Sequence, residues 1–194
     1  VKTRLIIATR NAHKVSEISA MLPDFEVCDL SVIQNPPRVE ETGESFLDNA
    51  TLKAQAISSL TDDWVIADDS GLEVDSLDGA PGVYSSRYGG EEGNDAKNNA
   101  KLMREMAGLS QREARFRCVI VVARGGQVEA SFSGAVEGRI AEAPSGAGGF
   151  GYDPLFIPEG YDESFAELGE EIKNNLSHRA KALQGAQDWL SKVS

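Results

Sequence analysis

Two adjacent carboxylates, Asp68-Asp69, close the apolar run Trp64 to Ala67 and lead into Ser70-Gly71. Ligand and metal sites in α/β sheets gather at the carboxyl ends of strands. Paired carboxylates there repel each other unless a cation joins them, and Mg²⁺, a hard cation, takes oxygen ligands while neutralising phosphate oxygens. If the strand stays extended, neighbouring side chains point to opposite faces, so that one aspartate does chemistry and the other supports structure. The competing reading is a turn whose aspartates bond nearby backbone amides, and on these residues alone the two stand level. Glu40-Glu41-Thr42-Gly43 offers a second carboxylate ligand, or simply acid at the start of the next helix.

Thr9-Arg10-Asn11-Ala12-His13-Lys14 joins an apolar run to a helical pattern, and helix N-termini aim N–H groups and the positive end of the dipole at phosphate. The plain alternative is Asn11 as a cap and Lys14 as a solvated cation. Lys53 lies one helical turn beyond Asn49, which puts both polar groups on one face for phosphate contact. Phe150-Gly151-Tyr152-Asp153 combines an aromatic face, a close-approaching backbone and a carboxylate able to accept from a purine ring N–H, although aromatics at a strand start are equally at home in a core. Lys173 and Ser177-His178-Arg179 gather further donors where a last helix begins.

Strands and helices must alternate to position these groups. Arg4 to Thr9 reads as a buried strand, followed by a helix from Asn11 with Val15, Ile18 and Leu22 on one face before Pro23. A second amphipathic helix is predicted from about Ser45 to Leu60, with Phe46, Ala50, Ala54 and Ile57 on its apolar side. The strand Trp64 to Ala67 comes next, and Leu72 to Val74 continues extended before a Gly/Pro-rich loop through Gly93. Asp95 is placed to cap a helix carrying Leu102, Met103 and Met106, and Gly108 to end it. Phe116 to Val122 alternates, Gly125-Gly126 turns the chain, and Val128 to Phe132 returns as a hairpin, with a further strand near Val136 to Ile140. A glycine-rich stretch from Ser145 precedes a strand Leu155 to Ile157, and the C-terminal helix starts after Ser177 and buries Leu183, Leu190 and Val193. The pattern is a mixed α/β fold without internal repeats.

With 194 residues, 41% hydrophobic and 26% charged, the chain suits a single domain over 1–194, or one fold with two lobes. No apolar stretch is long enough for a bilayer, so no membrane role is expected. No secretory leader is recognised, so a cytoplasmic location is expected. Cys28 and Cys118 stand apart in apolar surroundings and read as reduced thiols. A net charge of −12 argues against nucleic acid as a partner, since such proteins need a basic surface to displace counterions. It leaves room for a small phosphate substrate, because a few cations gathered with a divalent metal reverse the local potential.

Taken in order, ATRNAHK, EETGESFLDNATLKA, ADDSGLEVDSLDGAPGVYSSRY, GGFGYDP and SHRAKAL resemble the inosine triphosphate (dITP/XTP) pyrophosphatase family over nearly the whole chain. The resemblance implies an elongated α/β fold in which helices flank a mixed central sheet, with two lobes, an active cleft between them, and usually a homodimer. It implies Mg²⁺-dependent cleavage between the α and β phosphates of deaminated purine nucleoside triphosphates (ITP, dITP, XTP), which yields the monophosphate and pyrophosphate and cleanses the nucleotide pool. By the same resemblance Thr9, Arg10, Asn11, Ala12, His13 and Lys14 form the phosphate-binding loop. Glu41 and Asp69 bind Mg²⁺, and Asp69 is also the proton acceptor. Ser70 contacts substrate, Phe150 stacks on the purine within Phe150-Gly151-Tyr152-Asp153, and Asp153 helps read the base edge. Lys173, His178 and Arg179 complete the nucleotide site, with Lys53 and Asp68 in support. Arg10 departs from the family pattern, standing where glycine often follows the threonine. Two rivals remain: a catalytically silent nucleotide sensor, and another Mg²⁺-dependent phosphohydrolase. Against the second, Asp68-Asp69-Ser70 lacks the aspartate, spacer, aspartate arrangement expected of haloacid dehalogenase-like phosphatases.

Overall fold

In the computed structural model, which describes residues 2–193, six strands form one sheet in the order β2-β1-β3-β4-β5-β6. They are β1 (Arg4–Ile7), β2 (Glu26–Cys28), β3 (Trp64–Val74), β4 (Glu113–Arg124), β5 (Gln127–Ile140) and β6 (Phe156–Pro158). The helices are α1 (Ala12–Met21), α2 (Phe46–Ser58), α3 (Asp95–Met106), α4 (Phe165–Leu168), α5 (Glu170–Leu176) and α6 (His178–Val193). The sheet is mixed: β1 runs parallel to both β2 and β3, while β5 is antiparallel to β6, with Arg139 opposite Ile157. The chain divides into two compact units, each assembled from separated segments.

The first unit runs to Asp69, takes in Cys118–Gly134 and resumes at Arg179. Its strands are apolar on both faces, as a sheet covered on both sides must be. Leu5, Ile7, Ile66, Cys118, Ile120 and Val122 pack against Ile18 of α1 and its C-cap Leu22, and against Leu183, Ala186 and Leu190 of α6. Their neighbours Ile6, Ala8, Val65, Ala67, Val121 and Ala123 pack on the other side, against Ala50, Ala54 and Ile57 of α2. Strand alternation therefore decides which helix any residue of β3 meets. Asn11 starts α1 as an N-cap, its Oδ1 accepting from His13 N at 3.0 Å and Lys14 N at 3.3 Å. Ser45 caps α2.

The second unit comprises Ser70–Arg117 and Ala135–His178. Leu72, Val74, Ala114, Phe116, Val136 and Ile140 form a core with Leu102 and Met106 of α3, Phe156 of β6 and Phe165 of α4. The alternate positions stay polar and pair across strands: Arg115 reaches Asp75 at 2.9 Å and Glu137 at 3.0 Å, and Arg117 reaches Glu73 at 3.2 Å.

Several expectations change. Asp68 and Asp69 do not close a strand, because β3 runs through them to Val74. The chain edge beside them is that of β1, whose pairing with β3 stops at Ile7 opposite Ile66. Val128–Phe132 and Val136–Ile140 belong to one 14-residue strand, β5. The loop through Gly93 contains two 3-10 turns, Asp75–Leu77 and Gly82–Arg87. Asn94 rather than Asp95 caps α3, its side chain accepting from Lys97 N. Val193 is 47% exposed because the last turn of α6 extends past the core that Leu183 and Leu190 fill.

Candidate active site

Alternation along β3 gives the two aspartates opposite environments. Asp68, fully buried, lies on the face covered by α1 and α6, where Lys14 Nζ stands 3.2 Å and Arg179 Nη2 3.3 Å from its Oδ2. Burial pushes the Asp68 carboxyl up, but the attraction of Lys14, then Arg179 and Lys53, outweighs it and holds the group well below the usual carboxylate range. Arg179, 2% exposed, also pairs with Glu17 of α1, and its guanidinium is held more firmly charged than usual although burial opposes this. Asp69 faces α2. Lys53 Nζ there lies 2.6 Å from Glu41 Oε1, 2.7 Å from the Asp68 carbonyl oxygen and 3.6 Å from Asp69 Oδ1. Burial, reinforced by the like charges of Glu41 and Asp68, lifts the Asp69 carboxyl to about 6 against the pull of Lys53 and Lys14. Two neighbouring aspartates driven apart in this way separate a permanent anion from a base poised near neutral pH.

The loop from Thr9 to Lys14 keeps its donors at the surface of the same unit. Thr9 Oγ1 accepts from Asn11 N at 3.2 Å, and Asn11, Ala12 and His13 are exposed at the start of α1. Arg10 leaves the loop and donates from Nη2 to the Pro36 carbonyl at 2.8 Å, tying the loop to the segment that leads to Glu41. That segment is located from α2: Asn49, wholly buried, accepts from Gly43 N at 2.7 Å through Oδ1. A Cβ at Gly43 would lie 2.5 Å from Asp48 Cβ, so the close approach requires glycine.

Among the described residues no group of three or more His, Cys, Asp or Glu side chains is arranged around a metal position. The pair Glu41 and Asp69 nevertheless fits a divalent cation. Two carboxylates share a single ammonium, and the buried Asp69 Oδ2 has no hydrogen-bond partner among the described residues. Mg²⁺ commonly uses only one or two carboxylates and takes its remaining oxygens from substrate and water.

In the second unit, Ser70 follows directly in β3, half-buried. Phe150 and Asp153 form a tight turn: Asp153 Oδ2 accepts from Phe150 N at 3.0 Å and from Lys173 Nζ at 2.7 Å. The Lys173 ammonium stands 4.4 Å from the centre of the Phe150 ring, within cation–π range. Tyr152, 4% exposed, is a core residue whose hydroxyl donates to the Ser85 carbonyl at 2.6 Å. His178, 4% exposed, stacks on Phe116 at 4.9 Å. An aromatic face, an ammonium and a backbone turn thus meet at Phe150-Gly151, which suits a flat heterocycle carrying a hydrogen-bond acceptor.

A model of the Ham1 family matches residues 5–189. The chain belongs to the Ham1 family. Among Ham1 relatives, the dITP/XTP pyrophosphatase of Bacillus licheniformis is 50% identical over 184 residues, covering 93% of this chain and 94% of its own. That of Geobacillus kaustophilus is 51% identical over 183 residues, 92% of this chain and 90% of its own. The solved Ham1 protein of Staphylococcus aureus superposes with a TM-score of 0.88 at 38% identity, covering 99% of this chain and all of its own. One residue of the candidate site, Glu17, escapes sequence reasoning, and two named from the sequence, Asn49 and Lys53, make other contacts than the spacing suggests. Glu17 is one helical turn from Lys14, a spacing that marks it as a neighbour but cannot show that Arg179 reaches it. Asn49 carries the helical spacing of a phosphate contact yet spends its carbonyl on Gly43. Lys53 binds carboxylates rather than standing free for phosphate.

Proposed function

We propose that this chain hydrolyses deaminated purine nucleoside triphosphates to the monophosphate and pyrophosphate, with Mg²⁺ held by Glu41 and Asp69, in the cytoplasm and as a homodimer. The observation that carries the reading is the opposite placement of Asp68 and Asp69: one is buried beside Lys14 and Arg179, while the other stands with Glu41 around the Lys53 ammonium. Asp69 accepts a proton from the attacking water. The water oxygen forms a bond to phosphorus, the bridge between the α and β phosphates breaks, and its oxygen leaves with pyrophosphate. Lys14 and the N–H groups at the start of α1 hold the phosphates, and Lys53 keeps Glu41 and Asp69 side by side. A bound Mg²⁺ supplies neutralisation of the phosphate oxygens and polarises phosphorus.

Phe150 supports the base and Lys173 donates to its edge. Hypoxanthine presents an O6 acceptor and an N1–H donor, and adenine reverses both, so ATP leaves buried groups unpaired. Among the described residues no helix is long and apolar enough to cross a membrane. The dimer is supported by the resemblance to the family. Chromatographic analysis of purified protein incubated with Mg²⁺ and ITP, XTP, GTP or ATP tests the reading: monophosphate with pyrophosphate from ITP and XTP, and little from ATP or GTP, is expected. Release of inorganic phosphate, or tight ITP binding without turnover, would replace it with a phosphatase or a sensor.

A further inference from the structure

Gly151, beside the Phe150 ring, has φ 60°, in the left-handed region where glycine is the default and where its conformational freedom is greatest. Both polar groups of its backbone are gripped from one helix. Its N–H donates to Asp95 Oδ2 at 2.8 Å, and its carbonyl accepts from Asn99 Nδ2 at 2.9 Å. Asp95 and Asn99 are four residues apart on α3 and so share one face. The helix is itself fixed in place: Leu102 and Met106 are wholly buried, and Asn98 accepts from Gly89 N at 2.7 Å and donates to the Ser86 carbonyl at 3.0 Å. On the other side of the turn, Asp153 ties Phe150 N to Lys173.

We propose that Asp95 and Asn99 are positioning residues for base recognition. By clamping the Gly151 backbone they set the plane of Phe150 against the Lys173 ammonium, and with it the preference for one purine edge over another. This rests on the reading of Phe150 and Lys173 as the base site. Neither residue belongs to the loop Thr9 to Lys14 or to the Glu41 and Asp69 pair that the proposed function gives to the phosphates and the metal, so the effect falls on base binding and leaves phosphate binding unchanged.

The test measures kcat and KM for ITP and ATP, and inhibition by pyrophosphate, in wild type, D95A, N99A, D95N and F150A. Losing either backbone contact is expected to raise KM for ITP about tenfold, with kcat changed by no more than about twofold. The ITP-over-ATP preference should narrow and pyrophosphate inhibition should stay as in wild type. D95N, whose amide oxygen still accepts from Gly151 N–H, should restore KM. If D95A does not yield folded protein, N99A and D95N decide alone. Unchanged KM and preference in D95A or N99A, while F150A loses preference, overturn the inference and leave the base site standing; so does a D95N variant as impaired as D95A. An F150A variant with unaltered preference overturns the base site and the inference together.

Discussion

Replacing Asp69 by asparagine should abolish turnover and at the same time make the metal-free protein more stable. The folded carboxyl keeps its proton to about pH 6, against an ordinary value of 3.8. Between those values the folded state binds more protons than the unfolded one, so stability falls as pH rises, and above the upper value the whole cost is present. At 1.36 kcal/mol per unit of acid constant, the difference is about 3 kcal/mol. Asparagine copies the neutral carboxyl in shape and keeps the Lys53 to Glu41 pair. In EDTA at pH 8, D69N should unfold about 6–12 °C above wild type for a protein of this size. The gap should close below pH 4, where the aspartate is protonated in both states. Adding Mg²⁺ should raise the wild-type midpoint much more than that of D69N, since the metal stabilises the state that binds it. Calorimetry at pH 4 and pH 8, with and without Mg²⁺, reads all of this. A D69N variant no more stable than wild type at pH 8, or a gap independent of pH, would refute the account of Asp69 as a desolvated anion.

The buried cation on the other face can be removed as well. R179M leaves Asp68 and Glu17 without their shared partner and should lower stability by about 3–5 kcal/mol in urea titration, with a loss under about 1 kcal/mol contradicting it. Burial, then the charge of Asp68, pushes the Cys118 thiol up to about 12, whereas Cys28 is only half-buried. Native protein at pH 8 should therefore take one alkyl group, on Cys28, and denatured protein two, by mass spectrometry. L190A should cost about 2–5 kcal/mol by cavity formation, while V193S, at a position 47% exposed, should change stability by less than about 0.5 kcal/mol; equal effects would mean that the last turn of α6 is packed.

The first unit is the more legible in sequence because its signals are local. Asn11 is an N-cap, the apolar stripe of α2 is the buried one, and the opposite facing of Asp68 and Asp69 follows from the extended chain. The continuity of β3 is not legible, since two charges in an interior strand are stable only with Lys14, Arg179 and Lys53 brought in from three helices. β2 is three residues long and too short to show a period. α4 did leave a mark: Ser164 and Glu167 form a capping box, a spacing readable in the sequence. Two lobes are expected from the family resemblance, but the bounds of the two units are not legible, because neither is a continuous stretch of chain. In the second unit, Lys173 and Asp153 are 20 residues apart, and no spacing rule joins them.

The crossing of β3 between two helix layers also makes the strand an address. Deleting one residue between Trp64 and Ala67 would preserve the Asp-Asp-Ser-Gly motif letter for letter, but it would turn every following side chain over. The first aspartate would then meet Lys53 and the second Lys14 and Arg179, so that the proposed proton acceptor is delivered to the place of the permanent anion. A comparison of motifs would still score such a chain as intact. The catalytic information therefore resides in the parity of the count from the start of the strand, and variants longer or shorter by one residue within this strand should be inactive even when every named residue survives.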